Sequence, residues 1–341
     1  MSVQRQRSPG RPTLDAVAAR AGVGRGTASR VVNGSPQVSA QAKAAVAAAI
    51  NELGYVPNRA ARALATRRTD SVALVVSESQ ERVFGEPFFA GAVRAISAAL
   101  HETSMQLWLA FAQSPQQREH VERHLTGQHV DGVLVLSLHD DDPLPAMLTQ
   151  RGLPTVLGGR ADTHSDFWVD VDNAGGARKA VEHLIGLGRS RIATIAGPQD
   201  MPVGRSRLAG FRDAVRDAGL DPDLVAFGDF SEASGVAAMR SLLARRPDLD
   251  AVFVASDLMA CAAVRALREA GRAVPRDVAV VGFENSPVAL QCDPPLTTVA
   301  LPVDELGRRM VELLLSRIGT RVGPAHGPVL IDPDLVRRAS A

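Results

Sequence analysis

The spacing of apolar residues changes character at about residue 71, and each regime predicts its own kind of structure. Before that point the spacing is helical. Leu14, Val17, Ala18 and Ala21 fall at i, i+3, i+4 and i+7 and line one face of a first helix. Thr13 is placed to cap it, and Asp15 suits its positive end. Gly22 supplies a tight turn into a second short helix, which carries Thr27, Ser29 and Arg30 on a polar face and turns Val31 inward. Gly34 suits the left-handed residue past its end. A third helix is predicted over 39–53, where Val46, Ile50 and Leu53 share a face and Gly54 ends the run. Pro57 blocks continuation, and Asn58 can cap a further helix over 59–66. About two turns long, that helix needs a partner chain or DNA to hold it.

From Ser71 onward, apolar runs alternate with amphipathic segments. Strands are predicted at 72–76, 106–111, 132–137 and 155–158, with helices over 88–103, 115–127 and 143–152. The rhythm then restarts. Strands follow at 191–196, 251–255 and 278–283, with helices over 174–187, 204–218, 232–245 and 258–270. Such alternation implies parallel sheets with helices on both faces. The expected fold is an all-α helix-turn-helix headpiece followed by an α/β core of two doubly wound parallel-sheet lobes. The expected boundaries are 1–57 for the headpiece, 58–70 for a hinge helix and linker, and 71–341 for the core. Within the core, lobe 1 takes 71–160 and 301–320, and lobe 2 takes 161–300 and 325–341. Ligands of such sheets bind at the carboxyl ends of strands, here in the cleft between lobes.

Charge sharpens the division. Residues 1–69 carry eleven Lys/Arg against two Asp/Glu, a net of +9; the whole chain is formally +1, leaving −8 for residues 70–341. Only the first fifth of the chain is built to meet a polyanion, and a short helix presenting small polar residues and two arginines fits a DNA major groove. At 341 residues, 45% apolar and 22% charged, the chain has the composition of a globular protein with room for several domains. The first ten residues read as a disordered basic arm without the apolar segment of a signal peptide, and no run has the length of a membrane helix. Cys261 and Cys292 lack CxxC spacing, which argues against a zinc site or disulfide framework and suits a reducing cytosol. The expected location is the cytoplasm, at the nucleoid.

Candidate catalytic chemistry is thin. His120 and His124 stand at i and i+4, but the HExxH order is absent. Asp140, Asp141 and Asp142 read as the solvated start of a helix, with one carboxylate able to face the cleft. The glycines around 22–26 follow no strand, so they are not a dinucleotide loop, and neither a GxSxG elbow nor a Walker lysine loop occurs. No catalytic residue, metal or cofactor is expected. An enzyme acting on a ligand in the cleft would need a carboxylate pair or nucleophile at a recognisable spacing. A stand-alone solute receptor would lack the basic headpiece.

The strings TLDAVAARAGVGRGTASRVVNG and VSAQAKAAVAAAINELGYVPNRAARALA resemble the headpiece and hinge of the lactose-repressor/galactose-repressor (LacI/GalR) family. Downstream, EPFFAGAVRAI, VDGVLVLS, RSRLAGFRDAV, GDFSEASG, VFVASDLMA, VPRDVAVVGFENSPVA and PPLTTVALPVDELGRRM follow the family's core in order, so the resemblance covers about 12–338. It implies a homodimeric transcription factor that reads a near-palindromic operator, with a periplasmic-binding-protein-like core for a small effector. The DNA-facing set it implies is Arg25, Gly26, Thr27, Arg30 and Asn33 in the headpiece and Asn58, Ala61 and Leu64 in the hinge. Leu64 corresponds to the leucine that wedges into the central minor-groove step. In the core, Arg207 corresponds to the arginine that reaches ligand hydroxyls. Phe230 is the aromatic after GD, placed to stack on a ligand ring. Asp257 belongs to the polar pair of VASD, and Glu284 stands where the family usually has aspartate. Phe88 and Phe89 stand where the family's first lobe lines the pocket, and Asp140, from the carboxylate run already described, is the further candidate on that lobe. Asp172 and Asn173 are placed to cap the helix that follows, with facing the cleft as the alternative.

Three departures matter. Gly24 replaces a serine cap, Gly26 replaces a larger base-reading residue and leaves Arg25 and Arg30 as the main readers, and Glu284 is a methylene longer than aspartate. The end of the chain shows no leucine heptad, so a dimer is expected rather than a tetramer. The expected function is a repressor whose operator affinity is set by a sugar effector. A corepressor-type regulator responding to a purine or nucleoside uses the same frame and stays open at this stage.

Overall fold

The computed structural model describes residues 12–35, 37–56, 68–127, 129–160, 166–319 and 327–341. They fall into two units, one ending at Thr69 and the other running from Asp70 to Ala341.

Three helices make the first unit: α1 (Leu14–Arg20), α2 (Arg25–Val32) and α3 (Ala40–Leu53). The side chains of Thr13 and Ser39 accept from the amides of Ala16 and Ala42, which caps α1 and α3. Gly24 caps α2 without a side-chain hydrogen bond. Gly22, between α1 and α2, has φ 64°, a value at which an L side chain is strained. Val17, Ala18, Ala28, Val46 and Ala49 form the buried centre. On the surface Arg20 Nε donates to Glu52 Oε1 at 2.9 Å and links α1 to α3, an exposed pair that adds little to stability.

Two six-stranded sheets make the second unit. The first opens with β1 (Ser71–Val76), α4 (Gln80–Gly85), α5 (Pro87–Leu100), β2 (Gln106–Phe111) and α6 (Pro115–Thr126). It continues through β3 (Gly132–Leu136), α7 (Leu144–Gln150), β4 (Thr155–Gly158) and β5 (Trp168–Val171). The second is built from α8 (Asn173–Gly186), β6 (Ile192–Ala196), α9 (Pro202–Asp217), β7 (Val225–Phe227) and α10 (Glu232–Arg245). Then come β8 (Ala251–Val254), α11 (Asp257–Glu269), β9 (Ala279–Glu284), α12 (Pro287–Gln291) and β10 (Thr297–Ala300). The chain finishes with α13 (Val303–Arg317), β11 (Val329–Ile331) and β12 (Asp334–Val336). Strand order is β11-β5-β4-β3-β1-β2 in the first sheet and β12-β10-β9-β8-β6-β7 in the second. All pairings are parallel except β10 with β12. The central strands are apolar on both faces because helices cover both: Val72 through Val76 and Val133 through Leu136 are all buried.

The lobe boundaries differ from those expected. Strands β5 and β11 belong to the first sheet, so lobe 1 extends past 160 to Val171 and takes up 329–331, segments the sequence reading gave to lobe 2. Each is only three or four residues long, and pairing decides where it goes. Leu157 of β4 pairs with Trp168, and Val169 in turn pairs with Val329. The chain therefore crosses between lobes three times: after β5, after β10 and between β11 and β12. Helix α13 lies against α5 beneath the first sheet. Gly307 permits this, since a Cβ there would come within 2.6 Å of Ala95 Cβ.

Candidate functional site

On the headpiece, Arg25, Gly26 and Arg30 are exposed on α2, Asn33 is exposed as its C-cap, and Thr27 is half-buried. Arg30 folds back along its own helix, with Nε donating to the Gly26 carbonyl at 3.3 Å and Nη2 to Thr27 Oγ1 at 3.4 Å. Arg25 meets Asp15 at 3.3 Å, with both side chains largely exposed. Such contacts are weak and easily exchanged for DNA. A Cβ on Gly26 would meet nothing within 4 Å, so the surface there is open. Asn58, Ala61 and Leu64 lie outside the described residues.

In the core, a cavity opens at the carboxyl ends of strands from both sheets. Arg207, on α9, is its centre and is 3% exposed. Its Nε donates to Asn173 Oδ1 at 2.9 Å and its Nη1 to the Ala255 carbonyl at 2.6 Å. The guanidinium lies 3.8 Å from the Phe283 ring centroid, and Glu284 Oε1 stands 3.9 Å from Nη1. Asn173 is fixed from the other side, its Nδ2 donating to Asp170 Oδ1 at 3.2 Å. Buried carboxyl, amide and guanidinium thus form one hydrogen-bonded row that presents donors and acceptors to a polyhydroxylated ligand.

Burial pushes the Glu284 carboxyl up to about 8, against the opposing pull of Arg207. Its backbone φ is 113°, and Phe230 (72°) and Ser137 (62°) are also left-handed. Three residues that line the cavity therefore sit on strained backbone, as is common where side chains must be aimed at a ligand. Because the folded chain holds the Glu284 proton more tightly than the unfolded one, stability is lost as pH rises from about 4.5 to about 8. Glu284→Gln, which mimics the neutral acid, should raise the Tm at pH 8.5 and leave it nearly unchanged at pH 5. Parallel Tm-versus-pH curves for the two proteins in scanning calorimetry would contradict this account.

Phe88 and Phe89 line the cavity as expected residues of lobe 1, edge to face at 5.2 Å. Phe230 lines it too, with two guanidinium groups near its ring. The Arg82 guanidinium lies 5.2 Å from its ring centroid, while Gly197 backs the ring so closely that a Cβ there would fall 2.5 Å from it. Two expected ligand residues are not in the wall. Asp257 is fully buried, its carboxylate accepting from Thr298 Oγ1 at 2.5 Å and from the Ser286 amide at 2.7 Å, so it fastens the start of α11 to the loop after β9. Burial raises its carboxyl to about 6. Asp140 is exposed at the cleft edge, paired with Arg205 at 2.5 Å. Asp172 caps α8 by accepting from the Gly175 amide at 2.8 Å.

Sequence reasoning missed Arg82, Glu86 and Asp170, all of which line the cavity. Glu86 directly precedes the Pro-Phe-Phe run and accepts from Arg82 Nε at 2.6 Å. Asp170 alternates with buried Val169 and Val171 in β5, a period-2 signal in a strand too short to be noticed. Among the described residues, no group of three His, Cys, Asp or Glu is placed to hold a metal ion. His124 instead stacks between Trp108 and His129, at 4.1 and 4.8 Å.

Residues 13–58 match the family described as bacterial regulatory proteins, lacI family, and residues 181–341 match a periplasmic binding protein-like domain. The HTH-type transcriptional regulator CelR of Thermobifida fusca is 57% identical over 313 residues, 90% of this chain and 92% of that protein. A solved CelR–cellobiose complex aligns over 97% of this chain and 100% of its own, at 53% identity and TM-score 0.76. The lac repressor dimer bound to operator and the anti-inducer ONPF aligns over 96% and 98%, at 30% identity and TM-score 0.84. A basic three-helix headpiece, a two-lobed core with a polar cleft and similarity along nearly the whole length agree with one another, and the chain belongs to the lacI family of bacterial DNA-binding transcriptional regulators.

Proposed function

We propose that this regulator is a repressor whose effector is a glucose disaccharide of the cellobiose type, bound in the cleft between the lobes. The observation that carries the reading is the buried row Asp170–Asn173–Arg207 with Glu284 beside it, set among phenyl rings. Arginine and carboxyl groups serve vicinal hydroxyls, and the rings of Phe88 and Phe89 cover apolar sugar faces. Overall identity to CelR, whose complex contains cellobiose, favours this sugar over a purine. Arg25, Gly26, Thr27, Arg30 and Asn33 read a near-palindromic operator as a homodimer, with Asn58, Ala61 and Leu64 completing the contact from the hinge. The protein binds its effector and does not turn it over. It acts in the cytoplasm, where the chromosome is; no helix among the described residues is long and apolar enough to cross a membrane.

Effector and operator affinities must be coupled reciprocally. Calorimetry with cellobiose, ribose, hypoxanthine and guanine, paired with gel-shift titration on an operator, tests the reading. Cellobiose should bind, shift operator affinity and be recovered unchanged, with a stabilisation near 2.7 kcal/mol at a hundred times Kd. Binding of a purine and not of the disaccharide would replace the sugar reading with corepression.

A further inference from the structure

Glu78, in the loop after β1, is 7% exposed, and one of its oxygens gathers three donors. Arg82 Nη1 reaches Oε1 at 2.5 Å, Ser137 Oγ at 2.6 Å and His139 Nε2 at 2.9 Å. All four residues belong to lobe 1. Two of them also touch lobe 2. The other nitrogen of His139, Nδ1, meets Asp200 Oδ2 at 2.7 Å, and Arg82 approaches Met201 Sδ at 3.7 Å and the Phe230 ring. Next to them the Asp140 amide donates to the Asp200 carbonyl at 2.9 Å, and Asp140 pairs with Arg205. These contacts run along one edge of the cleft. The cavity behind them measures about 100 Å³, well under the roughly 300–1,000 Å³ of pockets that take small ligands.

We propose that Glu78 positions His139 and Arg82 as an ionic clasp that holds the two lobes together, and that the clasp must open to admit the effector. The term effector rests on the reading of the cleft given above, but the clasp is testable without any ligand. With both ring nitrogens facing carboxylates, His139 is held as the cation. Its hydrogen bond to Glu78, helped by Asp200 and opposed by burial, pushes it up to about 9 from the ordinary 6.5. The groups facing it are Glu78 and Ser137 from lobe 1, Asp200 from lobe 2, and Arg82 from α4 across the shared Glu78 oxygen. The clasp is therefore complete below about pH 6.5 and is lost as pH rises through about 9.

The Asp140 amide, hydrogen-bonded across the cleft, is a natural reporter of opening. Hydrogen exchange would be followed by mass spectrometry on the full chain without ligand. At pH 7, His139→Gln and Asp200→Asn should each speed exchange about tenfold or more in peptides containing that amide, while β8 peptides stay protected. The double variant should go no further than the faster single variant, because both break one link. As pH rises past about 9, the wild type should converge on His139→Gln. Glu284 also titrates in this range but is present in both proteins, so it drops out of their difference. Unchanged exchange at Asp140, equal loss throughout the core, or a gap between the two proteins that does not depend on pH would overturn the clasp. A second arm uses cellobiose as the probe: its association rate should rise in His139→Gln. If exchange behaves as expected but cellobiose fails to bind either protein, the sugar reading falls and the clasp stands.

Discussion

Alanine at position 207 should abolish the effector response of operator binding while leaving effector-independent DNA binding intact. Arg207 is the side chain on which the polar groups of the cleft converge, donating to Asn173 and to the Ala255 carbonyl while facing Glu284. Its removal leaves ligand acceptors unpaired, at about 1–3 kcal/mol, or tenfold to over a hundredfold in affinity. The same change strands Asn173 Oδ1 inside the protein, so the variant's Tm must be measured beside its affinity. Arg207→Lys separates the two effects: it keeps the charge and loses the planar fork, so it should keep the fold and still bind more weakly. Wild-type affinity for cellobiose in both variants, read by calorimetry, would remove Arg207 from the site and move the search to Phe88, Phe89 and Glu86.

On the headpiece, Arg30→Ala should cost roughly 1–3 kcal/mol at a cognate operator and relax preference at one base pair per half-site. Arg30 is exposed, and the bonds it makes to Gly26 and Thr27 are long, so little is lost when it swings out to a guanine edge. Gly26 offers no side chain that could take over its reading. Gel-shift titration on a set of single-base operator variants decides the matter. An equal loss on every sequence would make Arg30 a phosphate contact.

Much of the fold was legible because the longest elements carry the strongest patterns. The alanine-rich α3, the fully apolar β3 and the amphipathic α9 each declare their period over several turns or a whole strand. The pieces that went unread are short or rely on distant partners. β5 takes its place by pairing with β4, and β11 by pairing with β5 across more than 150 residues of chain. Within the cleft, the residues found from sequence are those on regular elements or at strand ends, such as Arg207, Phe88 and Glu284. Asp257 misled because a polar side chain beside a strand end has two uses, and only the positions of Thr298 and Ser286 reveal that its carboxylate is spent on the fold. Arg82 and Glu78 escaped because their role depends on lobe 2 residues about 120 positions away, a relation that no local pattern records.

The threefold crossing of the chain between lobes also governs how the protein is made. Lobe 1 begins to form when β1 to β5 leave the ribosome, yet the helix that covers one of its faces, α13, and its edge strand β11 are the last large pieces synthesised. Leu306, Met310, Val311, Leu313 and Leu314 of α13 pack in the same buried cluster as Val72, Leu74, Leu134 and Val156. Throughout the synthesis of lobe 2, those strand residues have no helix α13 to lie beneath. A nascent chain therefore carries an apolar sheet face covered only in part, by Phe89, Ala92, Ile96 and Leu100 of α5, for well over a hundred residues of translation, the kind of surface on which chaperones act and aggregation begins. Neither lobe is one continuous stretch of chain, and the cleft between them is complete only after the final strands have returned.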